Sequence, residues 1–353
     1  MKRITALLLL LPLMAACAVE SAADTVGPRM LGRYAEKDGT KVFAWPASGV
    51  EARFEGTQVT AVIDDTGSNI LDITLDGETW MLHLKAGRET YIIPASATPG
   101  PHHLTLTRRS EIFDLGLTRL VSLETDGAFL PAQPPAHRFL FLGDSISVGF
   151  GAEGPDETCE YSAETGAPLR AWTALTAQAF GADWHNISIS GRGIYRNWDL
   201  SPALVMSVNI DRTLPDQDGL WDHARYQPEI IAVNLGTNDF SPGDPGEVFT
   251  DTYVATLAHL RDVYPEARIY AAFIGKTDGD AVNAATNARI GDAVARRKAA
   301  GDGKVSQVLL PLAETGHVWG CSWHPGIDSH RTMADAMIVQ IAADTGWTPA
   351  PRD

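Results

Sequence analysis

A hydroxyl, an imidazole and a carboxamide stand at three places in this chain where their chemistries complement one another. Ser145 lies in Gly143-Asp144-Ser145-Ile146, directly after the apolar run 139–142. Asn238 lies in Gly236-Thr237-Asn238-Asp239, after the run 230–235, and His324 lies in Cys321-Ser322-Trp323-His324-Pro325. A serine hydroxyl activated by a histidine base attacks an acyl carbon, and an amide N–H stabilises the oxyanion that forms. The reaction is acyl transfer. Taken singly, each motif has a plainer reading. Gly-Asp-Ser and Gly-Thr-Asn-Asp are ordinary strand-ending turns, and a histidine before proline is held in extended backbone whatever it does. The serine motif is not the Gly-x-Ser-x-Gly elbow either, because Ser147 stands where the second glycine would be.

These groups work together only if the fold brings them to one place. From residue 138 onward, apolar runs at 139–142, 187–189, 230–235, 269–273 and 308–310 read as strands. They alternate with helical stretches at 172–180, 247–264, 281–300 and 330–343, which predicts a parallel sheet between helices. In such a sheet, reactive groups gather at the carboxyl ends of the strands. Ser145 and Asn238 follow strands directly, and the loop before the last helix can carry His324 to the same rim.

Ahead of residue 131 the pattern is different. Segments 50–54, 59–62, 71–75 and 104–106 alternate apolar and polar residues, and turn residues at 65–69, 76–77 and 98–101 separate them. This predicts an antiparallel, all-β sandwich. Pro131-Ala132-Gln133-Pro134-Pro135 is a stiff connection after which the pattern switches. The expected organisation is a signal at 1–23, a β-sandwich domain at 24–130, a linker at 131–136 and an α/β domain at 137–353.

The N-terminal stretch has a Lys2-Arg3 flank, an apolar run from 4 to 16 and small residues at Ser21-Ala22-Ala23, the pattern of an export signal. The run is short for a membrane span. Leu13-Met14-Ala15-Ala16-Cys17 also resembles a lipoprotein processing site. A lipoprotein signal of 1–16 would leave Cys17 lipidated and membrane-attached; otherwise Cys17 leaves with the signal. Over 353 residues the formal net charge is −16, which opposes binding to nucleic acid phosphates or anionic membranes. His102-His103 and the other histidines lack a ligand pattern with cysteine or carboxylate, so neither metal nor cofactor is expected, and no protein partner.

Together, Gly143-Asp-Ser-Ile146, Ser190-Gly191, Gly236-Thr-Asn-Asp239 and the late His324-Pro325 resemble the four blocks of the SGNH, or GDSL, hydrolase superfamily. The longer stretches 143–153, 191–197 and 320–325 resemble carbohydrate esterase family 2, and 49–56 is similar to the start of that family's N-terminal jelly-roll-like domain. The likeness covers most of the chain after residue 24. It implies an N-terminal all-β sandwich followed by an α/β SGNH-hydrolase domain. It implies a serine enzyme of the acetyl xylan esterase type that deacetylates xylan, other plant polysaccharides or their oligosaccharides. By the same resemblance Ser145 is the nucleophile and His324 the base. The Ser145 N–H, the Gly191 N–H and the Asn238 side chain form the oxyanion hole.

One feature departs from the superfamily. The acidic residue usual three positions before the histidine is Cys321 here, and Ser322 replaces the aspartate of the relatives' Cys-Asp-Trp-His-Pro. The resemblance then implies a Ser–His dyad whose imidazole is oriented by the Ser322 carbonyl. Asp328, four residues on, is the competing acid, with helix capping as its plainer role. Asp144 and Asp239 are read as turn supports. Export makes a Cys159–Cys321 disulfide chemically allowed, and the motif positions place both cysteines on one rim; two buried thiols are the alternative. Trp319, Trp323, Tyr195 and Trp198 are candidates for a sugar-stacking wall, against a reading as ordinary packing. A lipid or phospholipid esterase on the same scaffold, or a noncatalytic carbohydrate-binding protein, are the competing functions.

Overall fold

The computed structural model describes residues 26–67, 69–112, 116–133, 135–274 and 280–351. The segment 1–23, read above as an export signal, lies outside them with Cys17.

Period-two alternation drives the first half of the chain into strands with one buried face. In β4 (Gly49–Gly56) Val50, Ala52 and Phe54 point into the core, and in β5 (Gln58–Asp65) Val59, Ala61 and Ile63 do so. With β1 (Arg29–Leu31), β6 (Ile70–Leu75), β7 (Glu78–His83), β9 (Gly100–Arg108) and β11 (Ala128–Leu130), β4 builds an antiparallel sheet of order β1-β4-β9-β6-β7, where β11 also pairs with β4. The second sheet runs β2 (Ala35–Lys37), β3 (Thr40–Phe43), β10 (Thr118–Thr125), β5 and β8 (Gly87–Pro94). Phe43, Phe54, Ile63, Leu71, Ile73, Leu104 and Leu106 fill the space between the two sheets. At the β6–β7 hairpin, Asp76 and Gly77 both have positive φ (53° and 93°), as a two-residue I′ turn requires. Strands β7 and β8 are mostly exposed and end their sheets, so the apolar count missed them.

The second half is a five-stranded parallel sheet of order β13-β12-β14-β15-β16: β13 (Ala182–Ser188), β12 (His137–Gly143), β14 (Ile230–Asn234), β15 (Arg268–Ile274) and β16 (Val305–Leu310). Every residue of β14 is buried, as a central parallel strand covered on both faces must be. Helix α1 (Ser145–Val148) follows β12, and α2 (Trp172–Ala179) leads to β13. Short helices α3 (Met206–Asn209) and α4 (Thr237–Phe240) bracket β14; α5 (Glu247–Val263), α6 (Ala281–Ala299) and α7 (Ile327–Thr345) complete the layers. Helices α2 and α7 pack together, as do α5 and α6. The chain leaves β12 first toward β13 and later returns to its other side as β14. That reversal opens a crevice at the carboxyl ends of β12, β13 and β14.

The β-sandwich is keyed to the α/β layer by polar anchors. Arg29 bonds Asp183 at 2.8 Å, and Trp45, buried with the parallel-sheet core, donates to the Thr213 carbonyl. Arg109, itself buried, bridges Asp72 in the sandwich to Glu153 in the loop beyond α1.

Candidate active site

Ser145 occupies the first turn of α1, where amide N–H groups have no partner within the helix. Asp144 caps this turn by accepting from the Ile146 N–H at 3.1 Å. Gly143 admits no side chain, since a Cβ there would lie 2.1 Å from Ser147 Oγ. The serine therefore sits on a tight strand-to-helix turn facing the crevice. Its Oγ lies 2.8 Å from Nε2 of His324.

His324 is aimed by a strained loop. Ser322 and Trp323 both hold left-handed backbone (φ 54° and 59°), a conformation that costs side-chain-bearing residues energy. The turn sends the Ser322 carbonyl back to Nδ1 of His324, 3.0 Å away. That carbonyl accepts the Nδ1 proton and leaves Nε2 free to take the serine proton. Burial pushes the imidazole below its usual 6.5, while the carbonyls of Ser322 and Cys321 oppose the shift. Asp328 is occupied elsewhere: its Oδ2 accepts from the His317 backbone N–H at 2.7 Å and its Oδ1 pairs with Arg331. Among the described residues, no carboxylate hydrogen-bonds to His324.

A disulfide joins Cys159 to Cys321 across 162 residues of chain. Backbone bonds reinforce it, from the Ser322 N–H to the Cys159 carbonyl at 3.0 Å and from the Cys321 N–H to the Gly151 carbonyl at 2.9 Å. The histidine loop is thus fixed to the loop beyond Ser145.

The oxyanion candidates face the same cleft, of about 540 Å³, lined by Ser145, Gly191, Asn238 and His324 among others. Gly191 has φ 77°, and a Cβ there would strike the Trp198 ring at 2.6 Å, so glycine is needed on both counts. Among the described residues its N–H meets no protein acceptor. Asn238 Nδ2 donates to the Arg192 carbonyl at 3.0 Å and to Asp144 Oδ2 at 3.2 Å, so an oxyanion must replace one of these partners. Burial, with a contribution from nearby Asp239, pushes the Asp144 carboxyl up to about 7. Asp239 accepts the backbone N–H groups of Ile194, Tyr195 and Arg196 at 2.8–3.0 Å, which ties the 191–197 loop to the Asn238 turn.

Of the four aromatic residues singled out from the sequence, one lines the cleft. Trp198, 64% exposed, lines the cleft. Tyr195 instead packs against the parallel-sheet core, and Trp319 and Trp323 pair edge-to-face at 6.0 Å outside the cleft lining. Their nearness in sequence did not fix where their rings point. Phe150, Arg192 and Asp199 line the cleft and were not singled out from sequence; Phe150 packs against His324 at 4.4 Å. Glu111, from the β-sandwich, was also missed. Its carboxylate accepts the Ser190 N–H at 3.0 Å and the Ser190 hydroxyl at 2.5 Å, one residue before Gly191.

Comparison with known proteins agrees with this geometry. Residues 141–332 match the GDSL-like Lipase/Acylhydrolase family and residues 30–135 match the carbohydrate esterase 2 N-terminal domain. Cellulase/esterase CelE of Acetivibrio thermocellus is 28% identical over 92% of this chain, which spans 40% of that longer protein. An acetylxylan esterase / glucomannan deacetylase of Cellvibrio japonicus is 28% identical over 86% of each chain. The solved structure of a carbohydrate esterase family 2 enzyme plus carbohydrate binding domain from Corynascus thermopiles (Myceliophthora fergusii) superposes with a TM-score of 0.81, at 30% identity over 91% of this chain and all of that one. With a serine and histidine in bonding contact at the sheet's carboxyl edge behind a two-sheet sandwich, the chain belongs to the GDSL-like lipase/acylhydrolase family and, within it, to the family 2 carbohydrate esterases.

Proposed function

We propose that this protein removes acetyl groups from xylan, glucomannan or related plant polysaccharides and their oligosaccharides, by Ser–His acyl transfer. The contact of Ser145 Oγ with His324 Nε2 at 2.8 Å, backed by the Ser322 carbonyl on Nδ1, carries the reading. His324 takes the serine proton as Oγ attacks the acetyl carbonyl. The tetrahedral oxyanion is held by the N–H groups of Ser145 and Gly191 and by the Asn238 amide. His324 then protonates the departing sugar oxygen, and water releases acetate by the reverse path. Trp198 and the open cleft suit a glycan better than a long acyl chain, since an exposed indole offers a sugar ring a face to stack on.

We also place the enzyme outside the cytoplasm, on the signal-like segment 1–23 and on the Cys159–Cys321 disulfide, a bond that persists in oxidising compartments. Mass analysis of the mature N-terminus separates cleavage after Ala23 from lipidation at Cys17.

Acetate release from acetylated xylan and glucomannan, beside hydrolysis of a long-chain acyl ester, tests the substrate class. Wild type should favour the acetylated glycans, and Ser145→Ala should lose about 10⁶-fold in turnover, the scale for deleting a serine nucleophile. Preference for the long-chain ester would point to a lipid esterase. Glycan binding without acetate release would point to a noncatalytic binding protein.

A further inference from the structure

At the opposite end of the parallel sheet from Ser145, three side chains from separate stretches converge. Asp211 follows α3, His223 sits in the 3₁₀ turn His223–Arg225 before β14, and His259 is on α5. Nε2 of His223 lies 2.8 Å, and Nε2 of His259 2.7 Å, from the same Oδ1 of Asp211. The three ligand-type atoms all lie within 4.8 Å of one another, and all three residues are partly exposed, so an ion has a path from solvent.

Each of these residues is held from behind. Arg33 of the β-sandwich donates to the carbonyls of Ile210 and Arg212 at 2.7 Å each, fixing the backbone on both sides of Asp211. The Trp221 N–H bonds the Asp211 carbonyl at 2.7 Å. Nδ1 of His223 lies 2.7 Å from the Tyr264 hydroxyl, which orients the ring so that Nε2 faces the carboxylate. A hydrogen-bond partner on the far ring nitrogen is what a metal-binding histidine ordinarily has. His259 is set by its helix.

We propose that Asp211, His223 and His259 form a binding site for a divalent transition-metal ion, zinc being the ion best suited to it. Two imidazoles and one carboxylate are a donor set for zinc and its neighbours, not for magnesium or calcium, which take oxygen ligands. Zinc bonds of about 2.0–2.2 Å in tetrahedral geometry place ligand atoms roughly 3.3 Å apart, so the present contacts must open by about half an ångström. On coordination each imidazole presents Nε2 to the metal and keeps its proton on Nδ1, and the Tyr264 hydroxyl accepts that of His223. The fourth position is left to water.

The consequence is structural. Residues 189–229 connect β13 to β14 through little regular structure, and this same connection carries Gly191 and Trp198. The ion ties its far end to α5 and, through Arg33, to the β-sandwich. No sequence motif announces the site, because its ligands are spread across 48 residues with no short repeat.

Calorimetric titration of zinc chloride into the chelator-treated full chain tests the proposal. One equivalent should bind at micromolar concentration or below, and the ion should raise Tm. His259→Ala, at a partly exposed helix position, and Asp211→Asn should each weaken binding at least about tenfold, since losing even an outer-shell partner of a ligand costs about 10–100-fold. His103→Ala, which removes a histidine paired with Glu51 in the β-sandwich, should leave it unchanged. Absence of saturable binding, or binding that His259→Ala and Asp211→Asn leave intact, would overturn the assignment and make the cluster a hydrogen-bonded trio only.

Discussion

Glu111 reaches from the β-sandwich into the oxyanion loop, and its removal should damage catalysis without touching a reacting atom. Its carboxylate, itself buried, accepts two hydrogen bonds from Ser190, which is half-buried at the cleft wall. Hydrogen bonds to a charged group contribute about 1.5–3 kcal/mol each, and a buried N–H left without a partner costs about 1–3 kcal/mol. Glu111→Ala therefore releases Ser190, and Gly191 follows it. A shift of about 1 Å in a positioned group typically costs about 10²-fold in rate. The expected result is a fall in kcat of about that size with KM little changed, because the Gly191 N–H acts on the oxyanion and not on bound substrate. Glu111→Gln keeps the shape and one acceptor oxygen, while its amide can donate to the Ser190 hydroxyl, so it should recover most of the loss. Steady-state kinetics on acetylated xylan, with circular dichroism as the folding control, measure both variants. A folded Glu111→Ala enzyme with kcat within about threefold of wild type would refute the coupling of the two domains at this point.

Asn238→Ala should lower kcat by about 10²–10³-fold, the scale for one oxyanion donor, with a smaller effect on KM; an effect on Tm alone would restrict Asn238 to ending its strand. Reducing the Cys159–Cys321 disulfide frees the loop that aims His324 and should cost about 2–5 kcal/mol. That corresponds to a fall in Tm of roughly 5–15 °C, and a Tm insensitive to reductant would contradict it. The acid limb of kcat/KM should have its midpoint below 6.5. His324 must be neutral to act as base, burial favours the neutral form, and activity is lost only as pH falls through the depressed value. A midpoint above 6.5 would require a carboxylate partner for the imidazole.

Much of the α/β layer was legible because buried parallel strands are near-continuous apolar runs. The segment 269–273 became β15 at Arg268–Ile274, and 247–264 became α5 at Glu247–Val263. The start of α7 was less visible. Helix periodicity becomes clear only near His330, whereas the helix begins at Ile327 once Gly326 releases the chain from the histidine loop. In the β-sandwich, strands with one buried face could be counted, but Thr-Trp-Met-Leu in β7 stays largely exposed at a sheet edge and reads as neither core nor turn. At the site, short motifs gave Ser145, Asn238 and His324, because each is bound to a turn that local sequence specifies. Phe150, Arg192 and Glu111 enter through tertiary packing between loops and domains, to which local sequence offers no pointer. The same holds for the side-chain directions that take Tyr195 and Trp319 away from the cleft.

Asp328→Asn is the measurement closest to the central claim, that Ser145 is activated by His324 with a backbone carbonyl and no acid behind it. The substitution removes a charge with little change of shape, from a residue whose carboxylate bonds the His317 N–H and Arg331 and not His324. On acetylated xylan its kcat should stay within about threefold of wild type, because the Ser322 carbonyl still holds Nδ1. A loss of about 10⁴-fold, the scale of neutralising a triad aspartate, would make Asp328 the third catalytic member and contradict the dyad.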